Sequence, residues 1–354
     1  MKLSTNQWTL LMMLLMMPSF LFSYAWKTCN DHKTTWNNNS TTMHISTTSF
    51  PVNSWWDQEL QSAMNRWNNV KGSSFQFYFN RDTDGSHAEK NNVNEIYLAN
   101  ASELSNTGAL AVTYSRFQCE REYSDLFGPT KTKYYEADIA FNPHYTWTDD
   151  NGNTWTGYNN SGVGYNFESV ALHEFGHVLG LNHEDRSLAT MNSYYPNSGP
   201  VGHYNVMEAH GDDRNGARYL YPDSTVETDI VASRYYRTGS GTSSEISIPT
   251  SASKGSSISI QYTTGNLSTA SKQYRVGFYL STNNYISKSD ILLSDTTLIS
   301  APTGASGTHT KSLNIPTNIS SGTYYIGFIV DDHSENSESD ESNNFISLGS
   351  IYIY

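Results

Sequence analysis

The sequence predicts an α+β domain followed by an all-β sandwich, and three observations lead there. The chain has 354 residues, more than one ordinary core needs and about right for two at roughly 150 residues per domain. All eight Trp lie at or before Trp155, and no Trp, Cys or Met follows Asp223. Helical and strand patterns mix before that break, whereas after residue 226 only short alternating runs recur between Gly, Ser, Asn and Pro clusters. The boundary falls just past Tyr219-Leu220-Tyr221-Pro222-Asp223, giving domains at 26–222 and 223–354.

The first 25 residues stand apart. Lys2 opens a short polar region, an apolar run extends from Leu10 to Met17, Pro18 breaks it, and Ser23-Tyr24-Ala25 follows. Small residues at the last and third-last positions fit cleavage after Ala25, as in a secretory signal peptide. The apolar run is shorter than the ~20 residues a membrane span needs. In an exported chain the two cysteines, Cys29 and Cys119, are expected to pair. Closing so long a loop stabilises a fold by about 4 to 5 kcal/mol on the entropic account.

Residues 54 to 70 place Trp56, Leu60, Ala63, Trp67 and Val70 at three- and four-residue intervals behind Asn53 and Ser54, either of which can cap a helix. Phe75, Phe77 and Phe79 alternate as in a half-buried strand. Further strands are predicted at 95–99, 110–117 and 136–142. Asp149-Asp150-Asn151-Gly152-Asn153 lies between two Trp-Thr pairs, where Asn-Gly suits a tight hairpin turn. Beyond residue 226, runs at 258–262, 274–280, 324–330 and 345–354 belong to about seven strands without a helical period, the pattern of an immunoglobulin-type antiparallel sandwich.

Charged residues make up 16% of the chain, against about 25% in an average domain. The net charge is −13 and no run of Lys or Arg stands out, so nucleic acid and anionic membranes are poor partners.

The chemistry concentrates in His173-Glu174-Phe175-Gly176-His177-Val178-Leu179-Gly180-Leu181-Asn182-His183. On a helix, His173 and His177 project from one face and can hold a single ion. Glu174 sits beside the first ligand, free to reach a water on that ion. Gly180 permits the left-handed turn that ends the helix and returns His183 as a third ligand. Three neutral nitrogens leave one open position on a tetrahedral zinc, as in catalytic sites. Five fixed positions at these spacings arise by chance in roughly one such chain in 10⁴.

That string resembles the metzincin metalloproteases. Met191, within Ala189-Thr190-Met191, is similar to their Met-turn, a methionine packed beneath the ligand histidines. The short spacing, Glu136-Ala137-Asp138-Ile139-Ala140-Phe141-Asn142, and Asp212-Asp213-Arg214-Asn215-Gly216-Ala217-Arg218-Tyr219-Leu220-Tyr221 resemble matrixins over roughly 45 to 222. The resemblance implies a zincin-like α+β domain, with a mixed sheet and an active-site helix. It implies one catalytic Zn2+ on His173, His177 and His183, with Glu174 as general base. Tyr194 sits three places after Met191 and not the two of the astacin and serralysin tyrosine ligand, although Glu184 after the third histidine is astacin-like. With about 30 residues between the expected cleavage site and the first helix, no matrixin prodomain is expected, and Cys29 lacks the motif of a cysteine block. Asn192-Ser193-Tyr194-Tyr195 replaces the family's proline-containing pocket wall, so subsite preference does not carry over.

The second half resembles CARDB, a family of bacterial adhesion-related modules. Val276-Gly277-Phe278-Tyr279-Leu280-Ser281, Ser289-Asp290, Gly322-Thr323-Tyr324-Tyr325 and Glu338-Ser339-Asp340-Glu341-Ser342-Asn343-Asn344 follow its phrases in order. The resemblance implies an accessory sandwich, not a catalytic domain.

The remaining polar features read as ordinary structure. Asp82-Thr83-Asp84-Gly85 and Asp149–Asn153 are incomplete calcium loops, so a Ca2+ requirement is unsupported and plain turns are expected. The acidic stretch 331–341 reads as a solvated loop. His203 and His210 are expected at the surface, and His87 and His144 do not pair as in a structural zinc site. The expectation is a secreted, extracellular, monomeric zinc endopeptidase acting on protein or peptide substrates, with a sandwich that binds a surface, matrix or substrate. No membrane span is expected after signal removal. The alternative is a catalytically inactive binding or adhesion protein, and the presence of Glu174 and all three histidines argues against it.

Overall fold

The computed structural model describes residues 25–29, 32–82, 91–105, 107–120, 131–158, 164–195, 208–238, 243–296 and 298–354. The expected signal peptide to Tyr24, the Asp82–Gly85 turn, His87, His203 and the Cys29–Cys119 pairing lie outside the described residues or side chains.

The periodic segment at 54–70 forms helix α1, Trp55–Asn68. Ser54 caps it by accepting from the Asp57 backbone N–H at 3.3 Å, and the Asn53 N–H in turn donates to the Asp57 carboxylate at 2.9 Å. Val70 stays buried just beyond the helix end. Apart from α1, the strands of the first domain are β1 (Thr28–Cys29), β2 (His32–Thr35), β3 (Ser40–Ser46), β4 (Gln76–Asp82), β5 (Asn94–Leu98), β6 (Ala111–Glu120), β7 (Lys131–Phe141), β8 (Thr146–Thr148), β9 (Thr154–Trp155) and β10 (Gly164–Asn166).

Seven of these strands share one mixed sheet in the order β1-β2-β7-β5-β3-β4, with β6 antiparallel on β7. Strands β3 and β4 run parallel, which needs a crossover, and α1 supplies it. Two more helices follow, α2 (Phe167–Leu179) and α3 (Gly211–Leu220). Phe77 of β4 meets Phe175 of α2 at 5.1 Å between ring centroids. The Trp67 indole of α1 donates to the Leu172 carbonyl of α2 at 2.9 Å. Each such fully buried large side chain contributes about 1.5 to 3 kcal/mol by leaving water, so α2 is fixed against a rigid base.

Asn151-Gly152 lies in the expected hairpin, with Gly152 at φ +86, but not as a two-residue turn. Strands β8 and β9 pair Thr148 with Thr154, leaving five residues between them. The Asp149 carboxylate closes this loop by accepting from the Asn151 and Asn153 backbone N–H groups at 3.0 and 2.7 Å. A carboxylate able to bind two amides outcompetes the tight turn.

The second domain has its own core, separate from that of the first. One sheet joins Ile230–Ser233, Ser257–Asn266 and Ser306–Asn314, and a facing sheet joins Ser251–Ala252, Phe345–Ile353, Gly322–Val330, Val276–Ser281 and Ile291–Asp295. Pairing is antiparallel except between Ser251–Ala252 and the last strand, which is parallel. Two short ribbons, 235–237 with 243–245 and 272–274 with 299–301, bring the described strands above the expected number. No helix among the described residues is long and apolar enough to cross a membrane.

Candidate metal centre

Helix α2 carries the first two histidines. Asn166 caps its start by accepting from the Ser169 N–H at 2.8 Å. Gly180 ends it with φ +118, in the left-handed region that suits glycine. A Cβ there would also press on the Thr34 carbonyl at 3.2 Å. The Trp36 indole and the Tyr221 hydroxyl donate to the Val178 and Leu179 carbonyls at 2.7 and 2.8 Å, satisfying the end of the helix.

The turn at Gly180 brings His183 back onto the helix face. One nitrogen from each of His173, His177 and His183 lies within 4.8 Å of the others, and the Nε2 atoms of His177 and His183 are 3.2 Å apart. The outer nitrogens are engaged. His173 Nδ1 meets the Thr190 carbonyl at 2.8 Å and His177 Nδ1 meets the Leu181 carbonyl at 2.9 Å. A carbonyl only accepts, so both Nδ1 atoms carry the proton and both Nε2 lone pairs face the common point. Burial, foremost, holds all three imidazoles below their ordinary pKa. Three neutral nitrogens aimed at one point fit a zinc ion.

Glu174 is 5% exposed, and its carboxylate accepts from the Thr113 hydroxyl of β6 at 2.6 Å. Burial pushes it up to about 7, against the pull of Thr113, His183 and Lys27. Lys27 lies under the helix end, donating to Ser115 Oγ at 2.7 Å and to the His177 carbonyl at 3.4 Å. Burial lowers its pKa to about 8.

Met191 is buried against α2, where a Cβ on Gly176 would sit 2.3 Å from its sulfur. Glycine at this place in the motif thus makes room for the methionine. The turn itself hangs on Asp213 of α3, which is 1% exposed and accepts from the backbone N–H groups of Thr190 at 2.7 Å and Met191 at 3.2 Å. Glu184 turns away from the cluster to Arg186, at 2.7 Å. Tyr194 is exposed.

His210 departs from expectation. It is 8% exposed, not at the surface, because it caps α3 and its backbone N–H donates to Asp213 at 2.9 Å. His144 Nε2 contacts the Ala101 carbonyl at 2.8 Å, away from the cluster. Among the described residues no second group of three His, Cys, Asp or Glu side chains converges in this way. Thr113, Lys27, Gly176 and the anchoring role of Asp213 had no signal in the motif, since each acts from outside it or through packing.

Residues 119–222 match the family model for Matrixin, and residues 242–348 match that for CARDB. Over 86 residues the chain is 40% identical to matrix metalloproteinase-25 of Homo sapiens, a stretch covering 24% of this chain and 14% of that protein. It is 36% identical over 86 residues to stromelysin-3 of Xenopus laevis, covering 24% of this chain and 15% of that one. The match therefore spans only a small part of these relatives' length. Among solved structures, the chain is similar to the CARDB domain of a Pyrococcus furiosus protein in complex with di-metal ions, at 17% identity and a TM-score of 0.26, covering 36% of this chain and 90% of that one. The chain is thus similar to the matrixin family over residues 119–222 and to the CARDB family over residues 242–348.

Proposed function

We propose that the chain is a secreted zinc-dependent endopeptidase, exported by residues 1–25, with its chemistry in 26–222 and an accessory sandwich in 223–354. The observation that carries the reading is the convergence of three neutral imidazoles beside a buried carboxylate. His173, His177 and His183 would hold the ion. When bound, zinc supplies a Lewis acid for the peptide carbonyl and makes water a better nucleophile at neutral pH.

The chain's own residues do the rest. Thr190 and Leu181 carbonyls keep His173 and His177 in the tautomer that leaves the inner nitrogens free. Glu174 takes a proton from the attacking water as the water oxygen bonds to the carbonyl carbon. It returns that proton to the amide nitrogen as the C–N bond breaks, leaving a carboxylic acid and an amine. Thr113 holds the Glu174 carboxylate in one orientation for both transfers.

The test is a mixed peptide library incubated with the purified full chain. The expected result is internal cleavage that a chelator abolishes and zinc restores. Cleavage undiminished in metal-free protein overturns the zinc reading, and zinc binding without any cleavage favours a binding protein.

A further inference from the structure

We propose that the C-terminal sandwich braces the floor of the metal centre, and that Arg218 and Asn215 of α3 are positioning residues through which it acts. The brace presupposes that the three histidines hold zinc. It also departs from the simple picture of a catalytic domain that works by itself with a passive appendage.

Helix α3 has ten residues, too few to be stable without packing partners. Part of it faces the site: Asp213 holds the Thr190 and Met191 amides, and the Thr190 carbonyl holds His173. The rest is gripped by the sandwich. Arg218, 11% exposed, donates to the Leu267 and Ser268 carbonyls at 2.8 and 3.1 Å and to Glu227 at 2.9 Å. Its Nε reaches back to the Lys71 carbonyl at 2.7 Å, so one guanidinium ties both domains. Asn215 donates to the Thr303 carbonyl at 3.0 Å and accepts from the Thr303 hydroxyl at 3.2 Å. Arg214 joins Glu227 at 3.0 Å.

Backbone meets backbone at the start of α3. A Cβ on Gly211 would lie 2.8 Å from the Asn266 carbonyl oxygen and from Gly304, and one on Gly304 would collide with Asn215. A second strut comes from Arg237, whose Nε donates to the Asp185 carbonyl. Asp185 in turn accepts from the backbone N–H and hydroxyl of Ser193 at 2.9 and 2.8 Å. The sandwich therefore holds both α3 and the loop running from His183 past Met191. Fixed directional bonds, those to buried Leu267 and Ser268 among them, set one orientation of the domains, which a flexible tether would not do.

Loosening this grip frees Asp213 and, through Thr190, the orientation of His173. Removing a ligand's direct partner weakens metal binding by about 10- to 100-fold, and loosening that partner through Asp213 is expected to act at the lower end of this range. The experiment compares full-length Arg218→Ala and the milder Asn215→Ala with the unsubstituted chain. Zinc affinity is read by competition with a chromophoric chelator, and amide exchange is read at Thr190, Met191 and, in the sandwich core, Phe278.

Arg218→Ala is expected to weaken zinc binding about tenfold and speed exchange at Thr190 and Met191 while Phe278 is unchanged, with Asn215→Ala shifting the same way by less. Unchanged exchange at Thr190 and Met191 in a folded Arg218→Ala protein overturns the brace. If that variant does not fold, Asn215→Ala decides by the same two readouts. If the unsubstituted chain fails to bind zinc, the metal reading falls, and the exchange rates alone still decide whether the sandwich holds the turn.

Discussion

Glu174 and Glu338 are both carboxyls raised by burial, to about 7 in the first domain and about 8 in the sandwich. Their surroundings differ. Glu174 faces His183 and Lys27, beside three imidazoles whose nitrogens converge. Glu338 accepts from the Ile230 N–H and from Asn344, with Asp331 and Glu341 pushing its pKa further up. A raised carboxyl is thus common to a candidate active site and to a loop that ties its own strands together. The converging neutral donors are what single out the first for chemistry.

The largest expected effect comes from breaking that convergence. His177→Ala removes one of three nitrogens and leaves the Leu181 carbonyl without its partner. Zinc content, measured by atomic absorption, should fall from near one per chain to near zero, and peptide cleavage should fall to background. Glu338→Ala should leave zinc content as it was; a loss of zinc there would erase the distinction between the two carboxyls.

Thr113→Val sharpens the comparison from the other side. The change removes the hydroxyl that orients Glu174 at almost constant volume. A hydrogen bond to a charged group is worth about 1.5 to 3 kcal/mol. The variant should keep its zinc and lose about tenfold in kcat, with steady-state kinetics on one peptide as the measurement.

The smallest effect concerns Glu338. Its folded-state pKa of about 8 lies above the ordinary 4.5, so the folded sandwich holds more protons than the unfolded one. Stability from this group is full at low pH and is lost as pH rises through about 8. Glu338→Gln stays uncharged and should flatten that dependence. Amide exchange in strand 322–330 at pH 5.5 and 8.5 should show a smaller difference than in the parent chain.

What the sequence made legible was local. His173, Glu174, His177, Gly180 and His183 fall within eleven residues, and helical spacing alone places them on one face and around one turn. Helix α1 was readable for the same reason, from Trp56, Leu60, Ala63 and Trp67. Thr113 was not, because 61 residues separate it from Glu174 and a threonine in a strand carries no mark of its partner. At 149–153 the hairpin is present and Gly152 takes the positive φ, but the loop is longer than a tight turn because the Asp149 carboxylate gathers the Asn151 and Asn153 N–H groups. Arg218 and Asn215 lie in the matrixin-like stretch 212–221, and nothing in a linear pattern shows that Leu267, Ser268 and Thr303 are their partners.

The most direct measurement is the rate of the Glu174→Gln protein at full zinc occupancy. Gln keeps the shape and the contact with Thr113 but cannot take a proton. The account predicts about one zinc per chain, bound as tightly as before, with kcat/KM down by about 10² to 10⁴. A Gln variant that holds zinc and cleaves peptide at the parent rate would contradict it.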